Sequence, residues 1–177
     1  RLARHPATAH HISMRLAQYL GEEQPALALV ERMAAAFTAS DGSIALTLQT
    51  LFDAPELPAT LGRKFKDPMH YLVSAVRMLH DGQDLPDTPA LLRALSRMGQ
   101  GLYNRQTPDG YPLDAAAWSG SGQMGTRFEV AQSLVGRAGS GSATRAQLAI
   151  EAGAGPRTRR VLDAAASPEE RQVLLLC

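Results

Sequence analysis

The chain is predicted to be an all-α protein, a multi-helix bundle of about 7–9 helices with one long ordered loop. Three observations predict it. The chain holds 29 Ala and 24 Leu but only 7 Val and 3 Ile; Ala and Leu lose little side-chain freedom in a helix, whereas strands draw on β-branched residues. Apolar residues recur at helical spacing through most of the chain. Helix starts recur as well: a polar capping residue followed by a first-turn proline, as in Asp67-Pro68, Thr88-Pro89 and Ser167-Pro168.

The elements follow in order. Residues 7–20 form a first helix behind Pro6, with Ile12, Leu16, Tyr19 and Leu20 on its apolar face and Gly21 as its stop. A second follows Pro25, with Leu27, Val30, Ala34 and Phe37 on one face, and ends at Ser40-Asp41-Gly42. Ser43 caps a third, carrying Leu48, Leu51 and Phe52, which Pro55 terminates. Met69, Leu72, Val73, Val76 and Leu79 form the stripe of the fourth, and Leu91, Leu92, Leu95 and Met98 that of the fifth. These stripes are expected to face a common core. From Gly99 to about Gly122 periodicity stops and turn formers cluster, with Trp118, the only tryptophan, to pack the segment down. Helices resume at about 123–135, 144–152, 157–166 and 168–176. Residues 1–135 are read as a helical core with the long loop 99–122. Residues 136–143 read as a Gly/Ser linker, and 144–177 as helices packing on the same domain.

Length and charge narrow the function classes. The 177 residues are one domain's worth, and 45% hydrophobic residues suffice for a core. Lys and Arg number 18 against 17 acids, so no polyanion-binding face is advertised and nucleic acid is a poor partner. No apolar run reaches a membrane span of about 20 residues. One cysteine, Cys177, excludes an internal disulfide framework. Both termini read as cut from something longer.

His5-Pro6-Ala7-Thr8-Ala9, Val30-Glu31-Arg32-Met33-Ala34 with Ser40-Asp41-Gly42, Lys64-Phe65-Lys66-Asp67-Pro68, and Pro108-Asp109-Gly110-Tyr111-Pro112 followed by Trp118 occur here in fixed order. In that order and spacing they resemble the C-terminal part of the bacterial family called domain of unknown function 1800, over roughly residues 1–135. The resemblance implies a longer, exported parent protein, periplasmic or secreted. It also implies a protein partner, because members are often encoded beside a second exported family. No catalytic residues come with it. Ser119–Gly125 stands where the family usually begins an aliphatic helix.

Candidate chemistry is sparse. His10 and His11 point about 100° apart on a helix, and His70 and His80 stand about 15 Å apart along theirs, so neither pair chelates one ion. His5, before Pro6, reads as part of the helix entrance. Gly120–Gly125 matches G-x-G-x-x-G but follows no strand. Arg157, Arg159 and Arg160 lack interleaved aromatics and read as a solvated face. No cofactor, metal or catalytic residue is expected.

Asn104, Arg105, Asp109, Tyr111, Asp114 and Trp118 remain as candidate ligand-binding residues, since they gather polar and aromatic groups on irregular backbone. Such a set suits recognition of a carbohydrate or a peptide; another exported protein as the partner is what the family resemblance implies. The same residues would equally serve to pin the loop onto the helices. The reading is therefore a binding or assembly module; the alternative is part of a hydrolase-like enzyme completed by a missing N-terminal region.

Overall fold

His5 caps the first helix, α1 (Pro6–Leu20): its Nδ1 accepts the Ala7 N–H at 3.1 Å, and Pro6 supplies the first-turn φ. The computed structural model describes residues 2–80, 83, 87–138 and 144–177. Among these the chain is all-helical, with α2 (Leu27–Ala39), α3 (Ile44–Phe52), α4 (Leu57–Thr60), α5 (Pro68–His80), α6 (Thr88–Arg97), α7 (Ser121–Ala138), α8 (Arg145–Gly153), α9 (Pro156–Asp163) and α10 (Pro168–Leu176). The one-turn α4 is the element that the sequence did not announce, because Pro58 sits inside its first turn where a proline is tolerated.

The chain divides into two compact units, Arg1–Phe65 with Leu113–Ala115, and Lys66–Pro112 with Ala116–Cys177. The division falls at Phe65 and Lys66 and not at the Gly/Ser stretch. Gly136, Arg137 and Ala138, expected in a linker, form the last turn of α7, and 139–143 lie outside the described residues. Val135 beneath that turn is buried with Val173 of α10, which holds the helix in register past the unfavourable Gly136.

In the first unit the core is Ala17, Leu29, Val30, Met33, Leu51 and Ala54. The buried face of α1 is Ala9, Ser13 and Ala17, one residue every turn, while Tyr19 and Leu20 stay exposed. Small side chains let two helices approach closely, so the seam with α2 runs along them and the larger residues are turned to its flank. Asp41 at φ 55 and Gly42 at φ 93 reverse the chain after α2, and the Gly42 N–H closes back on the Phe37 carbonyl at 2.8 Å.

The second unit has its own core, Tyr71, Leu72, Ala75, Leu95, Met98, Val130 and Leu134, drawn from α5, α6 and α7. The helices of the first hundred residues thus do not share one core. Polar bonds between distant residues tie this unit. The Tyr71 hydroxyl donates to the Arg127 carbonyl at 3.1 Å, and the buried Arg127 guanidinium donates to the Lys66 carbonyl at 2.5 Å while lying 5.0 Å over the Tyr71 ring. Thr144 caps α8 and donates its hydroxyl to the Met78 carbonyl of α5. Arg171 of α10 reaches Glu151, Asp163 and the Leu162 carbonyl, joining three helices through one guanidinium.

Candidate functional site

The segment between α6 and α7 is irregular but internally bonded. Gly99, at φ 87, ends α6, and the Gln100 N–H closes on the Leu95 carbonyl at 3.1 Å. The Gln100 side chain then accepts the Met69 N–H at 2.7 Å, which fastens the exit of α6 to the entrance of α5. Next comes a tight turn, Gly101 to Asn104, closed by Asn104 N–H to the Gly101 carbonyl at 3.2 Å. A Cβ on Gly101 would lie 2.4 Å from the Asn104 side-chain nitrogen, so Asn104 folds down over the glycine and would have to shift for any larger residue there.

Tyr111 donates its hydroxyl to the Gly101 carbonyl at 2.8 Å, and its ring sits 6.1 Å from that of Trp118 at a tilt of 52°. Trp118 is 5% exposed, and its indole N–H donates to the Pro112 carbonyl at 3.0 Å. The Arg105 guanidinium lies 5.9 Å from the Tyr111 ring centre and also donates to both Asp109 oxygens, at 3.2 and 3.1 Å. The Thr107 hydroxyl donates to Asp109 as well. These donors, Thr107 first and then Arg105, hold the Asp109 carboxyl below the usual carboxylate range.

Five of the six predicted residues are therefore gathered into one cluster: Asn104, Arg105, Asp109, Tyr111 and Trp118. Trp118 is the buried pin of that cluster and offers a ligand little surface. Asp114, exposed, belongs with Leu113 and Ala115 to the other unit, where the Ala115 N–H donates to Glu23 at 3.1 Å. Tyr103, an aromatic of the same segment, lies outside the predicted set. Its side chain is fully exposed, and its backbone is held at φ 58 in the third place of the Gly101–Asn104 turn. That place favours glycine or asparagine, and a bulky residue there is a genuine outlier. The available signal was a turn without a glycine in the position that wants one.

The family model described as "Protein of unknown function (DUF1800)" matches residues 1–175. The chain belongs to this family. Comparison with curated proteins returns no match. Comparison with solved structures returns none either. In this DUF1800 chain the glycines of 120–125 open α7 behind a 3-10 turn at Ala115–Ala117, with no strand among the described residues. No group of three or more His, Cys, Asp or Glu among the described residues could hold a metal ion, and no helix of the described residues is long and apolar enough to cross a membrane. His70 pairs through Nδ1 with Asp67 at 2.9 Å, and Asp67 also accepts the His70 N–H at 2.9 Å, so this pair closes the entrance of α5.

Proposed function

We propose that this DUF1800 chain is a binding or assembly module that engages its partner through the loop at 99–118, with Tyr103 as the anchor. The single observation that carries the reading is Tyr103 itself: an aromatic side chain wholly in solvent, on a backbone conformation costing about 1–2 kcal/mol. A fold does not gain stability from that arrangement. Strain retained on a tightly bonded loop is the pattern expected of a recognition residue. Aromatic rings supply large contact area at low entropic cost. Asn104, Arg105, Asp109 and Tyr111 beside it supply direction, and the buried Trp118 supplies rigidity. Asp114, in the other unit, is proposed as a ligand-binding residue separately from this cluster.

The partner is taken to be an exported protein encoded beside this one, or a carbohydrate, in the periplasm or outside the cell, with the chain as a piece of a longer exported protein. The test pairs the chain with its neighbour-encoded protein, and separately with a panel of neutral oligosaccharides, using Trp118 fluorescence as the reporter. Tyr103→Gly should abolish binding while raising stability by about 1 kcal/mol, since glycine relieves the strained φ. Unchanged binding by Tyr103→Gly would remove the loop from the reading.

A further inference from the structure

A second feature of the 66–177 unit, separate from the loop, has the form of a ligand site. Between α6 and α7 lies a cavity of about 180 Å³. Its floor is apolar: Leu91 and Ala94 from α6, Val130 and Leu134 from α7. Three guanidinium groups line it, Arg93 and Arg97 one turn apart on α6, and Arg137 on α7. Ser133, exposed, stands on the same wall.

Among the described residues that line or pair with it, three arginines face two carboxylates, Asp87 and Glu129. Arg97 is paired with Glu129. Arg137 donates to Asp87 at 2.7 Å. The other oxygen of Asp87 is already taken, because it caps α6 by accepting the Ala90 N–H at 2.9 Å. Arg93 makes no ion pair among the described residues, yet its charge is felt at Asp87, whose carboxyl is held below its ordinary range by the Ala90 N–H, by Arg137 and then by Arg93. Like charges one turn apart on a helix repel. An anion received between Arg93 and its neighbours would relieve that repulsion, and charge-assisted bonds to a guanidinium favour a planar, two-oxygen head.

Size sets the rest of the ligand. An engineered apolar cavity of about 150 Å³ takes up benzene, so this one accommodates about one ring. We infer that the α6–α7 cavity is a binding site for a small carboxylate with a compact apolar body, an aryl-alkanoate in type. The apolar body lies on Leu91, Ala94, Val130 and Leu134, and the carboxylate meets Arg93. The inference is independent of the loop and of Tyr103, and either can fail without the other.

The test titrates the 177-residue chain calorimetrically with phenylacetate, with phenylacetamide and with acetate. Phenylacetate should bind saturably at one site; the uncharged amide and the bodiless acetate should each bind at least about tenfold more weakly. Arg93→Gln, at an exposed position, should weaken phenylacetate about tenfold or more with an unchanged circular dichroism spectrum. Ser133→Trp should block the cavity and give the same loss by a different route. No saturable binding of phenylacetate, equal binding of the amide, or an unaffected Arg93→Gln would each overturn the inference.

Discussion

The two units solve the same problem, helix packing, by different chemistry. In the 1–65 unit the α1 seam is a row of small residues, Ala9, Ser13 and Ala17, all buried, and the capping bonds are local. In the 66–177 unit the core is built from larger side chains. Hydrogen bonds between residues more than fifty positions apart cross it, as in Tyr71 to Arg127 and Thr144 to Met78. The first unit has polar ties as well, since the Lys64 ammonium donates to the Gln18 and Tyr19 carbonyls at the end of α1, at 2.9 and 2.6 Å, but they lie at the helix end and not along the seam. A core that buries a tyrosine, an arginine and two glutamines draws bonds between them, while the irregular loop is held by bonds of its own, Met69 to Gln100, Tyr111 to Gly101 and Trp118 to Pro112. The strained Tyr103 sits in the unit with enough such bonds to hold it.

The comparison breaks most visibly at the pin of the loop. Trp118→Ala should cost about 3–5 kcal/mol in thermal or urea unfolding, the range for a large aromatic removed from a core. It should also release Tyr103, so that partner binding falls together with stability. In the first unit the sharpest challenge is Ala17→Leu, which overfills the seam between α1 and α2 and should cost about 1–3 kcal/mol. If Ala17→Leu were neutral, the close approach along Ala9, Ser13 and Ala17 would be wrong.

Alkaline pH separates the units without any substitution. Burial raises the Tyr71 phenol well above its ordinary value of about 10. A group whose folded pKa is raised contributes stability that is fully present below the unfolded value and is lost as pH climbs above it. Stability of the 66–177 unit should therefore fall above about pH 10. Tyr71→Phe should flatten that fall at the expense of about 1 kcal/mol at neutral pH, from the hydrogen bond lost to the Arg127 carbonyl. The smallest effect has the opposite sign. The Ser13 hydroxyl is buried with no hydrogen-bond partner among the described residues. Ser13→Ala should stabilise the chain by about 0.5–1 kcal/mol, read as a raised melting temperature.

The helices and their starts were legible because capping and periodicity are local. Pro6, Ser43, Thr88-Pro89 and Ser167-Pro168 each stand within a residue of a helix beginning in the structure. One start was missed by a single place: Asp87, not Thr88, accepts the Ala90 N–H and caps α6. Which face of each helix is buried was less legible. Leu27, Phe52, Val73 and Leu92 belonged to the expected stripes and are exposed, while Thr47, Ala75 and Met78 are buried. A stripe of aliphatic residues about 100° wide leaves the helix free to rotate within it. The partner helix chooses the rotation, and on α1 it chose alanine and serine over leucine and tyrosine.

What the amino-acid sequence by itself determined about this protein is therefore its class, its helix starts, the position of the long loop and its family, all of which depend on residues near one another in the chain. The pairing of helices into two cores, the burial of Trp118, the assignment of Leu113–Ala115 to the first unit, and the strained exposure of Tyr103 were decided only by the tertiary structure. The reason is physical. Caps and turns are satisfied within four or five residues, whereas a close approach, a buried hydroxyl or a retained strain depends on atoms brought in from tens of residues away, which local spacing does not encode.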